Sequence, residues 1–131
     1  MQIHQSAEDY LETILMLNQR MGRVRSIDVV NELGYTKASV SIAMKKLREN
    51  GYIAVDGEGN LTLLEPGREI AERIYSRHRL LTHFFVQLGV EEDIAAEDAC
   101  KAEHILSEQT LKKIREYALL HDAEDSVQKS E

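Results

Sequence analysis

The feature that most constrains the fold is a change of apolar periodicity in the first half of the chain. Val40, Met44 and Leu47 recur at helical spacing, and the pattern stops at Gly51, a residue suited to the left-handed cap that ends a helix. Two short apolar segments follow at 52–55 and 61–64, separated by Asp-Gly-Glu-Gly-Asn. That turn sequence predicts a β-hairpin directly after the helix.

Two more helices are predicted before this point. The first begins near Ser6, a favourable N-cap, and the second covers residues 26–34. Thr36 then caps the third helix. A helix, a second helix, a turn, a third helix and a hairpin in this order make a winged helix-turn-helix. In that motif, Val30 and Val40 are predicted to occupy the core positions of the two helices, and Gly34 the tight turn between them.

The second half of the chain is predicted to be helical. Pro66, the only proline, indicates a domain junction after the hairpin, and one long helix should follow to about Leu88. A break precedes a further helix over 94–106, and helical periodicity continues to His121. The remaining residues are too polar to pack, which predicts a disordered tail. The expected fold is therefore mainly α, with a winged-helix domain at 1–66, a helical domain at 67–121 and a tail at 122–131.

The location of the protein follows from what the sequence lacks. No apolar run approaches the roughly 20 residues that span a bilayer, and the first residues do not form a signal-peptide pattern. We therefore expect a cytoplasmic protein without a membrane partner. The lone Cys100 cannot form an internal disulfide, so it is a reduced core thiol, a reactive thiol or a metal ligand.

Charge is distributed unevenly along the chain. The formal net charge is −7, which argues against nucleic-acid binding if it is taken as a whole. Residues 20–50, however, contain seven basic and three acidic side chains, a net charge of +4. Residues 91–108 contain seven acidic side chains and one lysine, a net charge of −6. The first segment suits phosphate and the second suits cations.

The third helix carries the predicted DNA-binding face. Lys37, Ser41, Lys45 and Arg48 lie on the side away from its apolar stripe. An ordinary solvated face is the alternative, but the adjoining wing and the local basic charge favour insertion into a major groove. The candidate DNA-binding residues are Thr36, Lys37, Ser39, Ser41 and Lys45.

Residues that can ligate metals occur in two clusters. Cys100, Glu103 and His104 are spaced i, i+3 and i+4, and Asp9 and Glu12 are spaced i, i+3. His78 lies on the long helix. Each residue alone could have an ordinary role, such as helix capping, an exposed helix position or a buried thiol. Their joint occurrence in a DNA-binding chain favours a metal site, because thiolate, carboxylate and imidazole are the usual ligands of transition metals.

Three motifs resemble those of the diphtheria toxin repressor family, especially its short manganese transport regulators. They are the segments Ser6–Glu12, Arg77–Leu81 and Cys100–Ser107. The resemblance implies a helical dimerisation domain and a homodimer that represses metal-uptake genes at palindromic double-stranded operators. It also implies a metal site that joins the two domains. The implied metal ligands are Asp9, Glu12, His78, Cys100, Glu103 and His104.

Two departures bear on which metal is bound. The manganese branch usually has a carboxylate at the position of Cys100, whereas the iron branch has cysteine there but methionine at the position of Asp9. Thr82 and Ala96 occupy two positions of the iron branch's second site and cannot replace its ligands. We therefore expect Fe²⁺ or Mn²⁺ as the cofactor, with Co²⁺, Ni²⁺ or Zn²⁺ also binding in vitro.

Two other functions fit parts of the sequence. A winged-helix regulator that responds to an organic ligand would use the same DNA-binding domain, with the polar clusters merely solvated. A helical metalloenzyme would use the Cys100, Glu103 and His104 cluster, but it lacks a ferritin-like Glu-x-x-His or a His-Glu-x-x-His motif. The sequence therefore predicts a metal-activated repressor rather than an enzyme.

Overall fold

The computed structural model describes residues 5–129, with side chains up to residue 123. The fold is mainly α, as predicted, with one antiparallel hairpin among the described residues. The elements in chain order are α1 (Gln5–Met21), α2 (Ser26–Leu33), α3 (Lys37–Glu49), β1 (Ile53–Val55), β2 (Leu61–Leu63), α4 (Glu65–Gln87), α5 (Glu92–Ala102) and α6 (Glu108–Lys129). They form two compact units, Met1–Ile74 and Tyr75–Glu131.

The first unit contains the predicted helix-turn-helix. The Thr36 hydroxyl caps α3 by accepting a hydrogen bond from the Ser39 amide at 3.1 Å, and Gly34 ends α2 in the left-handed conformation. The apolar stripe of α3 is buried, as expected. On α2, however, Val29 is the buried core residue and the predicted Val30 is only half-buried. Ser6 also differs from its predicted role, because α1 already includes Gln5.

The wing is a hairpin of three residue pairs, and its second strand bonds to the segment just before α2. Ile53 pairs with Leu63 and Val55 with Leu61, while the Leu61 amide donates to the Val24 carbonyl at 2.7 Å. The Asp56 carboxylate organises the turn by accepting hydrogen bonds from the amides of Glu58 and Asn60. These bonds hold the pKa of the Asp56 carboxyl below its usual value. The wing turn is therefore ordered by a carboxylate at its base.

The first turn of α4 lies against the backbone of the hairpin. Gly67 is buried there, and a β-carbon built on it would lie 2.2 Å from the Tyr52 carbonyl oxygen. The Tyr52 backbone is itself fixed, because its amide donates to the Leu47 carbonyl and its carbonyl accepts from the Leu64 amide. Glycine is therefore required at position 67 to let the two segments approach.

The second unit has a small apolar core formed by α4, α5 and α6. Leu81, Ala99 and Leu111 are buried at its centre, surrounded by partly buried residues that include Leu80 and Phe85. The division between the units falls inside α4, between Ile74 and Tyr75, and the domain junction near Pro66 stays a prediction.

The end of the chain differs from the expected tail. α6 continues to Lys129, although its last residues are polar, because neither glycine nor proline interrupts the helix after residue 111. Residues 130 and 131, which the sequence also assigned to the tail, lie outside the described part of the chain. No helix within the described part combines the length and the apolar character needed to cross a membrane.

Candidate functional site

Glu103 is the central side chain of the candidate metal site in the second unit. It is fully buried, and its two oxygens face different histidines. Oε2 lies 3.0 Å from Nδ1 of His78, and Oε1 lies 3.4 Å from Nε2 of His104. The His104 side chain is almost entirely buried, whereas that of His78 is one-fifth exposed. One carboxylate and two imidazoles thus converge within this unit.

The end of α5 places Glu103 and His104 differently from the helical prediction. α5 ends at Ala102, and Glu103 is its C-cap, with its amide still donating to the Ala99 carbonyl. His104 lies in the turn that follows. The prediction that a helix over 94–106 presents all three residues on one face is therefore wrong for His104. Ser107 directly precedes α6 and caps it by accepting a hydrogen bond from the Thr110 amide at 3.2 Å.

Arg77 holds this turn in place and was not identified as a site residue from the sequence. Its guanidinium donates to the Glu103 backbone carbonyl at 3.3 Å and pairs with the carboxylate of Glu108. One side chain of α4 therefore ties the end of α5 to the start of α6. Its position next to His78 in the sequence was the available signal, but only the tertiary structure shows which groups it binds.

Cys100 is placed differently from its neighbours. Its side chain is exposed. Of the three roles that the sequence allowed for this residue, the buried core thiol is therefore excluded. It lies on α5 one turn before Glu103, which is fully buried.

Thr82 and Ala96 occupy the two positions compared with the iron branch's second site. The Thr82 hydroxyl donates a hydrogen bond to the His78 carbonyl at 2.8 Å, and Ala96 has no polar side-chain group. These two residues add no ligand to the site.

The remaining predicted ligands lie in the first unit. Asp9 and Glu12 are one turn apart on α1, where Asp9 is half-buried and Glu12 is buried. A buried glutamate is unusual for a helix in a small domain, because burial of a carboxylate has a large desolvation cost unless a partner compensates it. Neither carboxylate therefore behaves as an ordinary solvated helix residue.

The buried donors of the second unit fit a divalent transition metal. Oε1 of Glu103 accepts no hydrogen bond from any described residue, and leaving such an atom buried costs on the order of 1–3 kcal/mol or more. The hydrogen bond with His78 satisfies only Oε2. A cation beside Oε1 would compensate the second oxygen, and mixed imidazole and carboxylate ligands suit Mn²⁺, Fe²⁺ and Zn²⁺.

The face of α3 that is predicted to bind DNA is exposed. Lys37, Ser41, Lys45 and Arg48 are all exposed, on one flank of the buried stripe. Thr36 and Ser39, by contrast, are partly occupied by bonding to each other, with 2.9 Å between their hydroxyl oxygens. The wing turn at 56–60 contains Asp56 and Glu58 and no basic residue.

Comparisons with known proteins find related domains in both halves of the chain. Residues 2–61 match the N-terminal DNA binding domain of iron dependent repressors, and residues 64–122 match their metal binding and dimerisation domain. An uncharacterised helix-turn-helix-type transcriptional regulator of Methanocaldococcus jannaschii is 34% identical over 113 residues, covering 85% of this chain and 90% of that protein. The helix-turn-helix-type regulator MntR of Bacillus subtilis is 31% identical over 124 residues, covering 95% of this chain and 87% of that protein.

A solved structure shows the same fold. A manganese-dependent transcriptional repressor, determined in complex with manganese, superposes with a TM-score of 0.79 at 29% identity. The match covers 86% of this chain and 52% of the other, so the chain spans about half the length of that repressor.

Proposed function

Because the chain belongs to the diphtheria toxin repressor family of metal-dependent DNA-binding regulators, we propose that it represses metal-uptake genes when Fe²⁺ or Mn²⁺ binds. The observation that carries this proposal is the buried Glu103 carboxylate between His78 and His104, in the segment that matches the family's metal binding and dimerisation domain. The relatives are transcriptional regulators, which favours this function over the helical metalloenzyme.

The proposed metal site uses ligands from both halves of the chain. In addition to the second-unit residues, the ligand set includes Asp9 and Glu12 of α1, with Cys100 as a further candidate. Without metal these carboxylates repel one another, which favours arrangements in which α1 is free of the second unit. Metal removes the repulsion and selects a DNA-binding arrangement. To change the ratio of the DNA-binding arrangement to the other arrangements from 1:99 to 99:1, the metal must bind the DNA-binding arrangement more tightly by about 5.5 kcal/mol. A few coordination bonds can supply that difference.

The proposed target is a palindromic operator bound by a homodimer in the cytoplasm. A two-fold dimer presents two copies of α3, and these enter successive major grooves about 34 Å apart. The dimer is supported by the match to a dimerisation domain, and the basic face of α3 supplies the cations for the DNA backbone. The half-sites should therefore repeat with the symmetry of the protein.

Metal titration tests the proposal directly. Duplexes would first be enriched from a random-sequence pool by protein loaded with Mn²⁺, and chelator-treated protein would then be titrated with Mn²⁺, Fe²⁺, Co²⁺, Ni²⁺ and Zn²⁺ under reducing conditions. We expect Mn²⁺ or Fe²⁺ to tighten binding by about 100-fold, as selection of a state populated near 1% requires. Full affinity in the presence of chelator would instead support a regulator that responds to an organic ligand.

Cys100 offers a second measurement on the same site, because it is the only thiol in the chain and is exposed. If it ligates the metal, saturating Co²⁺ should slow its alkylation by iodoacetamide about tenfold or more, since coordination occupies the thiolate that reacts. Cys100→Glu should raise the response to Mn²⁺ relative to Fe²⁺, because oxygen ligands suit manganese. An unchanged alkylation rate, together with full metal response in Cys100→Ser, would remove Cys100 from the site.

A further inference from the structure

Ile42 is an exposed aliphatic residue of α3 that lies one turn before Lys45, at the edge of the helix face predicted to bind DNA. Its relative exposure is 58%, whereas Val40 and Met44, two residues to either side, are buried. The helical repeat directs Ile42 almost opposite to that buried stripe. The side chain therefore lies outside the buried core of the first unit, although it is among the most apolar on the helix.

The surroundings of Ile42 are polar and cationic. Lys45 and Lys46 lie one turn after it, and Ser41 precedes it in the sequence, all exposed. Ala38, one turn earlier, is exposed and small, so nothing on the helix surface covers the isoleucine. Single exposed apolar residues are common on protein surfaces. This one differs because its face carries the cations that would bind the DNA backbone on both sides of a groove.

The major groove offers one apolar group to such a side chain. Among the four bases, only thymine presents a methyl group there, and the groups that distinguish the other bases are hydrogen-bond donors or acceptors. Ile42 can form no hydrogen bond and is stiff at its first side-chain torsion, since β-branched residues in helices strongly prefer one rotamer. It is therefore suited to a fixed apolar contact and unsuited to reading a polar base edge.

We propose that Ile42 is a specificity-determining residue that contacts a thymine methyl group in each operator half-site. This inference rests on the proposed function, because it assumes that α3 enters the major groove. Burial of one methyl-sized group contributes about fourfold in affinity. The lysines that flank Ile42 supply affinity without sequence preference, so Ile42 would make the operator prefer A·T over G·C at one position of the half-site.

The experiment removes the methyl group from the DNA and the side chain from the protein. Duplexes enriched by the full chain loaded with Mn²⁺ would be resynthesised with deoxyuridine replacing each thymidine in turn, which deletes only the C5 methyl. Dissociation constants would be measured for the wild type, Ile42→Ala and Lys45→Ala. Circular dichroism and metal titration would check that each variant folds and binds metal.

We expect one deoxyuridine position per half-site to weaken wild-type binding about fourfold, and the same replacement to have almost no effect on Ile42→Ala. Lys45→Ala should weaken binding to thymidine and deoxyuridine duplexes equally, and it should reduce the log–log salt slope by about one for each phosphate that the lysine no longer neutralises. A wild type insensitive to deoxyuridine at every position would overturn the inference, as would equal sensitivity in Ile42→Ala.

Two further outcomes distinguish a role of Ile42 in reading DNA from a role in binding protein. Ile42 also borders a groove between α1 and α3 that is lined by Tyr10, Ala43 and Lys46, with a volume of about 380 Å³. If the isoleucine serves a protein partner in that groove, Ile42→Ala should bind the enriched DNA like the wild type, and the inference fails while metal-dependent DNA binding stands. If no duplex is enriched, the proposed function fails and the inference fails with it.

Discussion

Glu103→Gln is expected to abolish the metal response and to weaken DNA binding in the presence of Mn²⁺ about 100-fold. The amide keeps the shape of the buried side chain but lacks the negative charge that a divalent ion requires. If the competent arrangement is populated near 1% without metal, loss of metal binding lowers the affinity for DNA by that same factor. The measurement is a metal titration of DNA binding, with the chelator-treated wild type as the reference state.

Glu97→Gln is a matched control for this prediction. Glu97 lies on the same acidic helix, but its side chain is 71% exposed and its carboxylate is 3.9 Å from Lys101. An exposed ion pair of this kind contributes little to stability, so Glu97→Gln should respond to metal like the wild type in the DNA-binding titration. Wild-type metal response in Glu103→Gln would exclude Glu103 as a ligand. An equal decrease of the metal response in Glu103→Gln and Glu97→Gln would show that the net charge of α5, rather than a particular ligand, governs the response.

Gly67→Ala is expected to destabilise the first unit by about 1–3 kcal/mol, the usual range for overpacking a well-packed site. The added methyl would meet the Tyr52 carbonyl oxygen at 2.2 Å. That oxygen belongs to the backbone and is held by the hydrogen bond from the Leu64 amide, so it cannot rotate away as a side chain would. Chemical denaturation, followed by far-ultraviolet circular dichroism, measures the difference.

Gly57→Ala provides the comparison for this variant. Gly57 lies in the wing turn, and a β-carbon built there would meet no atom within 4 Å. Its substitution restricts the unfolded chain to a similar extent, so the difference between the two variants isolates the contact with Tyr52. Equal stability of Gly67→Ala and Gly57→Ala would contradict the close approach of α4 to the hairpin.

Local signals were sufficient to predict the helix-turn-helix and its wing. Thr36, Gly34 and Gly51 act through their own backbone geometry or through bonds to near neighbours, and such effects are readable from a short window of sequence. The choice between Val29 and Val30 was not readable in this way, because adjacent apolar residues on a short helix both fit the helical period. Contact with the other helices decides which of them is buried.

The candidate metal site was predictable in its residue types but not in its geometry. His78 and Glu103 are 25 residues apart, and no local pattern indicates that their side chains lie 3.0 Å apart. The end of α5 was missed because a new helix, capped by Ser107, starts a few residues later and competes with continuation of the old one. Arg77 was missed because the groups that it binds lie at the end of α5 and the start of α6, and only tertiary structure brings them together.

The continuity of α4 limits how this protein can be divided or recombined. The two units meet between Ile74 and Tyr75, in the interior of a helix that runs from Glu65 to Gln87. A cut at that boundary would create two new helix ends, each with up to four backbone groups deprived of their partners. Gene fusions that exchange one DNA-binding half for another would therefore retain structure best when they join at the end of the hairpin and inherit α4 whole.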